Sequence, residues 1–312
     1  MEDQFYQELT RILPQNQIKQ KERMENHTSL HIGGEADYFV TPTSVNEIKA
    51  VLCLCNQENI PCYIMGNGSN LLVSDEGYRG LVLKLGEDFS YVAVMEDGTV
   101  TAQAGILLSK LANEVARNSF TGLEFAAGIP GTLGGAVTMN AGAYDGDIKQ
   151  CIMRAKLMDA EGNIHCFNKE ELELGYRSSI LQRKNCILLE AEMKFKKGDM
   201  QEILHKMKDL NTRRRDKQPL DQYSAGSTFR RPEGYYTGKL VNDAGLRGYQ
   251  VGGAAVSEKH CGFIINKGNA TAKDFLTVIQ DVVRIVNEKF GVRLEPEVKY
   301  LGEFNQPSST RF

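Results

Sequence analysis

Two rhythms of apolar residues divide the chain. Val45, Ile48, Val51, Leu52 and Cys55 recur at helical spacing behind Ser44, and Glu47 completes a capping box with that serine. Met200, Ile203, Leu204, Met207 and Leu210 share one helical face between Asp199 and Leu210, and a strongly periodic helix is predicted for Ala272–Phe290, closed by Gly291. Leu107–Asn118 is a further predicted helix, and residues 3–24 read as a polar helical segment and linker broken at Pro14. Shorter apolar runs predict strands at Ala36–Thr41, Cys62–Met65, Met153–Met158, Ile164–Phe167, Cys186–Phe195 and Gly262–Asn266. Between Leu81 and Ala104, turns at Gly86 and Asp97-Gly98 predict antiparallel pairing, and Leu294–Tyr300 is extended with Glu295, Glu297 and Lys299 on one face. Gly175–Ile180 is a connector, and a disordered tail is expected after Glu303.

A chain of 312 residues is too long for a single core, so two or three domains are expected. The boundaries are expected at 1–25 for the helical segment, 26–200 for a first module split near 75–80, and 201–303 for a second domain, with 304–312 as the tail. A net charge of −3 disfavours a protein that grips nucleic acid through its phosphates. Seven cysteines without a Cys-x-x-Cys pair suggest a reducing compartment and no cysteine metal site. The first residues lack the basic and apolar regions of a signal peptide, so a cytoplasmic protein is expected, a monomer or weak oligomer without membrane attachment. Phe125–Tyr144 is long and uncharged enough to be weighed as a membrane span, but its Gly, Pro, Thr and Asn content makes it a poor one.

That stretch carries the candidate chemistry. Its glycines allow close approach of a ligand to the main chain, and it contains no charged side chain, so an anion held there is held by peptide N–H groups. A second uncharged run, Met65-Gly-Asn-Gly-Ser-Asn-Leu-Leu-Val73, adds glycines, amides and a hydroxyl. The pair suggests a dinucleotide gripped from two sides; a Gly/Ala loop that merely packs is the alternative. Gly128–Gly135 lacks the Gly-Lys-Ser/Thr ending of a Walker loop, and Gly66-x-Gly68 lacks the third glycine of a Rossmann turn.

These runs, with Gly175-Tyr-Arg177, Ala225-Gly-Ser227, Ser257-Glu-Lys-His260 and Leu294-Glu-Pro-Glu297, closely resemble the UDP-N-acetylenolpyruvoylglucosamine reductase family from about Asn26 to Gly302. The resemblance implies an α+β fold: a vanillyl-alcohol-oxidase-type FAD-binding module of two subdomains, then an α+β substrate domain. It implies non-covalent FAD, contacted by Gly66, Asn67, Gly68, Ser69, Asn70, Leu71, Gly128, Ile129, Gly131, Thr132, Gly134, Gly135, Asn140, Ala141 and Gly142. It also implies NADPH as co-substrate and reduction of UDP-N-acetylglucosamine enolpyruvate to UDP-N-acetylmuramate.

Hydride addition to the enol ether leaves negative charge that needs a cationic stabiliser and a proton donor. Arg177 matches the family's stabilising arginine, Ser227 its proton donor and Glu297 the acid that completes the site; Lys217, Arg231, Lys239 and His260 are the softer candidates for the substrate. Read singly, Arg177 is a surface ion-pairing residue, Ser227 a turn hydroxyl and Glu297 an edge-strand carboxylate; their joint order carries the functional reading. The short span from Arg177 to Phe195 leaves no room for an extra tyrosine-bearing loop, which implies the shorter class. His31 beside Gly33-Gly34 raises covalent flavin attachment, which the resemblance argues against. An oxidase on the same FAD module and a flavin or nucleotide-sugar binding protein without turnover are the competing functions.

Overall fold

The structure, a computed structural model, describes residues 4–304; of the tail expected at 304–312, all but Phe304 lies outside the described residues. The chain divides into two compact units, each discontinuous in sequence. The first takes residues up to Gln20, Tyr38–Asn67 and Gly80–Arg214; the second takes Lys21–Asp37, Gly68–Arg79 and everything from Arg215.

The first unit mixes helices with a five-stranded antiparallel sheet in the order Ile164–Asn168, Ile152–Met158, Ile187–Lys194, Thr99–Gln103, Val92–Val94. Alternation of the kind seen in Ile187–Lys194 places Leu189, Ala191 and Met193 in the core with Leu111, Val115, Leu133 and Val137 from two helices. The helix Val45–Gln57 carries the capping box read from the sequence, with Glu47 N–H on Ser44 Oγ at 3.2 Å. The hairpin of Val92–Val94 and Thr99–Gln103 is antiparallel as expected, with Val92 opposite Ala102.

Three expectations are corrected. Ile18–Arg23 is an edge strand, not helix or linker; its sequence buries only Ile18, so no alternation announced it. The strand Tyr78–Lys84 pairs in parallel with Cys62–Met65, Cys62 opposite Leu81, because the dozen residues between them make a crossover instead of a hairpin. The helix begun at Met200 does not stop at Leu210 but runs to Lys217, so the basic run Arg213–Lys217 is helical.

In the second unit Tyr223–Ser224, Ile264–Asn266, Ala254–Val256 and Gln250–Val251 form an antiparallel sheet. The helix Ala272–Phe290 buries Phe275, Val278, Ile279, Val282 and Val286 with Ala254, Val256 and Ile264. Its ends explain its length: Thr271 and Asp274 form a capping box, Asp75 accepts from the N–H groups of Ala272 and Lys273 at 2.7 and 3.1 Å, and Gly291 closes it at φ 66°. Lys299–Leu301 pairs in parallel with Leu71–Val73.

Candidate functional site

In the first unit the two glycine runs meet. A Cβ on Gly66 would lie 2.1 Å from Thr132 Oγ1, so only glycine lets the runs pack this closely. Asn67 Nδ2 donates to Pro130 O at 2.7 Å, fixing one run on the other. Among the described residues the amides of Gly66, Asn67, Gly131 and Thr132 donate to no protein acceptor, whereas Leu133 and Gly134 donate to Ile106 O and Ala104 O at 2.9 and 2.8 Å. The unpaired donor set is therefore main-chain and uncharged, and lies upstream of the short helix Leu133–Thr138, for which Thr132 is the N-cap. Ile129 and Ala141 donate to Ala126 O and Ala136 O, and Gly142 pairs across a two-residue turn with Asp147. Gly135 N–H faces the Thr132 hydroxyl at 3.5 Å.

Asn140 is buried at φ 40° and fully engaged. Its Nδ2 donates to Asp147 Oδ2 at 3.2 Å and to Gly175 O at 3.1 Å, while its Oδ1 accepts from Lys149 N–H at 2.9 Å. Gly175 and Ser178 close a tight turn through reciprocal backbone bonds, leaving Tyr176 and Arg177 at its tip. Arg177 sits at φ 52° with its guanidinium 5.4 Å from the centre of the Tyr176 ring. Ser179 and Gln182 donate to Thr138 O at 2.7 and 2.8 Å. The arginine turn is thus anchored to the C-terminal end of the glycine run.

The sequence reading missed Arg214. Gly128 packs against the Met200–Lys217 helix, where its Cβ would lie 2.6 Å from Asn211 Oδ1 and 3.1 Å from Arg214 Cδ. At the other end of the run the Tyr144 hydroxyl donates to Leu210 O at 3.0 Å. Arg214 Nε is buried with no hydrogen-bond partner among the described residues, and burial holds the guanidinium below its usual pKa, opposed by Tyr144. Ile203, Met207, Leu210 and Arg214 continue one helical stripe, the signal that would have singled out this arginine from its exposed neighbours.

The second unit brings Ser227 and Glu297 to neighbouring backbone. Glu297 N–H donates to Thr228 O at 2.8 Å, Arg230 N–H to Glu295 O at 2.8 Å, and Phe229 bridges to Pro296. Gly226, at φ 77°, supplies the left-handed turn before Ser227, whose hydroxyl donates to Phe229 O at 3.3 Å. Asn70 Nδ2 donates to Glu297 O at 3.1 Å and Asn70 O accepts from Lys299 N–H at 3.0 Å, so the end of the first glycine run holds the Glu297 segment. Leu71 is the first residue of the strand beside Lys299, and Gly68 O accepts from Ser29 N–H at 3.2 Å.

The other candidates in this unit are dispersed. Lys217 is exposed at a helix end; Arg231 Nε donates to Tyr235 O at 3.2 Å with its guanidinium 4.1 Å from the Tyr236 ring centre; Lys239 is ion-paired with Asp243 one helical turn on. His260 is half-buried, its Nδ1 accepting from Gly262 N–H at 3.1 Å, and burial lowers its pKa. His31 stacks on Tyr223 with ring centres 4.0 Å apart. Among the described residues no His, Cys, Asp and Glu group could hold a metal ion, all seven cysteines are free, and no helix is long and apolar enough to cross a membrane.

A cradle of unpaired amides and glycines, with the half-buried Arg214 and its unpartnered Nε beside it, fits a dinucleotide carrying negative charge. Residues 36–168 match the family model of the FAD binding domain, and residues 218–301 match the C-terminal domain of UDP-N-acetylenolpyruvoylglucosamine reductase. The reductase of that name from Lachnoclostridium phytofermentans is 54% identical over 98% of this chain and 100% of its own length, and that of Alkaliphilus oremlandii 51% identical over 96% and 98%. The crystal structure of UDP-N-acetylenolpyruvylglucosamine reductase from Thermus caldophilus superposes with a TM-score of 0.77 at 35% identity, over 90% of this chain and 98% of that one. Phl p 4.0202, a glucose dehydrogenase, shares the fold alone, with a TM-score of 0.50 at 17% identity over 64% of this chain and 45% of its own. The α+β FAD-binding fold expected from the sequence is the one found. On relatives matched at about half identity along nearly their whole length, the chain belongs to the UDP-N-acetylenolpyruvoylglucosamine reductase family of FAD-dependent oxidoreductases.

Proposed function

We propose that the chain reduces the enolpyruvyl group of UDP-N-acetylglucosamine enolpyruvate to give UDP-N-acetylmuramate, a peptidoglycan precursor, in the cytoplasm. Gly66–Asn67 and Gly128–Thr132 would hold FAD non-covalently, and the bound flavin would supply hydride chemistry with NADPH as the reductant. Addition to the methylene carbon moves negative charge onto the ether-bearing carbon and its carboxylate. Arg177 offers a planar guanidinium fork to that carboxylate and stabilises the charge as it develops. Glu297, protonated, donates to the same enolate, and the Ser227 hydroxyl releases its proton to the ether-bearing carbon. Lys217, Arg231, Lys239 and His260 are assigned to the nucleotide-sugar, whose diphosphate needs compensating charge. Residues 26–200 are read as the FAD module and 201–303 as the substrate domain.

The observation that supports this reading best is the pairing of the Ser227 turn with the Glu297 segment, through Glu297 N–H on Thr228 O at 2.8 Å and the Phe229–Pro296 bridge. A proton donor and a carboxyl group set on adjacent rigid backbone is what protonation of an enolate requires, and an oxidase has no use for it. The visible spectrum of the purified protein tests the reading, followed anaerobically through NADPH and then the enol ether. Flavin absorbance near ~450 nm should bleach with the first and return with the second. Recovery with oxygen alone would assign an oxidase, and a flavin that NADPH leaves oxidised would assign a binding protein.

A further inference from the structure

Cys55 and Cys62 turn their thiols to each other. Cys151, Cys186 and Cys261 instead meet oxygens, Ile148 O at 3.3 Å, Lys184 O at 3.6 Å and Asn242 Oδ1 at 4.0 Å. The close of the helix Val45–Gln57 brings the two sulfurs together. Glu58 N–H donates to Leu54 O at 3.0 Å, Asn59 is left-handed at φ 53°, and Ile60 N–H returns to Cys55 O at 2.9 Å, so the chain doubles back over the last helical turn. Pro61 then leads Cys62 into its strand, opposite Leu81. Both side chains belong to one core within the first unit: Cys55 is 1% exposed, and the half-buried Cys62 packs against the same cluster. The Cys62 thiol donates to the Cys55 sulfur, and that bond draws the Cys55 pKa down against its burial and keeps the proton on Cys62.

From this juxtaposition we infer that Cys55 and Cys62 are a redox-active dithiol, which hydrogen peroxide closes to a disulfide. One sulfur takes an oxygen from the peroxide as the O–O bond breaks and a first water leaves, giving a sulfenic acid. The other sulfur displaces that oxygen as a second water, and the S–S bond forms. The two thiols give up two electrons and both S–H protons; the peroxide takes them. A partner thiol already in contact intercepts the sulfenic acid before further peroxide carries it to the irreversible sulfinic acid. The closed ring spans residues 55–62 and joins the last turn of the helix to the first residue of Cys62–Met65, the strand that runs into Gly66. In the reducing compartment expected from the sequence the pair rests as two thiols. The site is independent of the flavin chemistry.

Mass spectrometry tests the inference on the folded chain after brief exposure to hydrogen peroxide, removal of the excess and alkylation of the remaining thiols in denaturant. Cleavage after Glu58 separates Cys62 from Cys53 and Cys55, so a bond between the two peptides survives digestion and parts on reduction. The wild-type chain and C53S should both give the linked pair at a rate independent of protein concentration, and a dithiol reductant should restore both thiols. C62A should give none. Unfolded in urea, the wild-type chain should spread the bond over every pairing of Cys53, Cys55 and Cys62, whereas the folded chain should favour Cys55–Cys62 over Cys53–Cys62 by at least about 10-fold. C53S leaves both sulfurs of the pair in place, so the test does not depend on a substitution in the core. Both thiols still open to alkylation in folded C53S once peroxide has oxidised the exposed Cys166, or separate sulfinic acids on Cys55 and Cys62, overturn the inference. Equal linkage of Cys62 to Cys53 and to Cys55 in the folded wild-type chain overturns it as well, since the contact would then confer no preference.

Discussion

Asn140 Nδ2 donates to Gly175 O at 3.1 Å, tying the end of the glycine run to the turn that presents Arg177. The same side chain satisfies Lys149 N–H and one oxygen of Asp147. Asn140→Ala removes all three of these hydrogen bonds from a buried side chain and should cost about 2–3 kcal/mol in urea denaturation. Asn140→Asp should be worse at pH 7 than at pH 5, because its carboxylate then faces both the Asp147 carboxylate and the Gly175 carbonyl. A variant with wild-type urea midpoints at both pH values would sever the proposed link between glycine run and arginine turn.

The contact of Gly66 with Thr132 makes a second, sharper prediction. Gly66→Ala places a methyl 2.1 Å from Oγ1 and should destabilise by about 1–3 kcal/mol through overpacking. Thr132→Ala removes an N-cap and should cost about 1 kcal/mol. Since the next nearest atom is Thr132 Cβ at 3.2 Å, the double variant should be more stable than the sum of the two losses requires. Simple additivity in thermal melts would mean that the runs do not touch.

The two half-reactions should separate genetically. Ser227→Ala should bleach with NADPH at the wild-type rate yet fail to recover on addition of the enol ether, with a fall in kcat of roughly 10²- to 10⁴-fold. Arg177→Lys keeps the charge and loses the fork, so kcat/KM should fall at least about 10²-fold with FAD occupancy intact. Anaerobic stopped-flow measurement of each half-reaction checks both.

His260 gives the pH dependence a sign. Burial lowers its pKa in the folded chain, so between the folded and unfolded values the unfolded state binds more protons and stability rises with pH. The contribution is whole above the unfolded value near ~6.5 and is lost as pH falls toward the lowered folded value. Urea midpoints should therefore drop between pH 7 and pH 5, and His260→Gln should flatten that drop. An equal slope in the variant would assign the acid sensitivity to other groups.

What could be read from the chain before its structure depended on whether local and tertiary preferences agreed. Ala272–Phe290 was legible because period, capping box and C-terminal glycine all marked the same helix. Ile18–Arg23 was not, since an edge strand exposed along most of its length leaves no apolar alternation. Parallel pairing of Cys62–Met65 with Tyr78–Lys84 was hidden because the residues that separate them leave for the other unit. At the candidate site the glycine runs announced themselves through composition. Arg214 did not, since a basic cluster at a helix end reads as solvated and only the helix's continued stripe turns one member inward.

The alternation of the chain between its two units has a consequence for how the protein is made. Crossings fall at 20/21, 37/38, 67/68, 79/80 and 214/215, so Lys21–Asp37 and Gly68–Arg79 leave the ribosome long before the residues from Arg215 that complete their core. Leu30, Ile32 and Leu72 must wait, exposed, for Phe275 and Val282. Growing-chain intermediates that end before Arg215 therefore carry orphaned apolar segments and are natural clients for chaperones. For the same reason no single cut of the gene yields either unit as one contiguous polypeptide, and the pieces cannot be exchanged among relatives as cassettes.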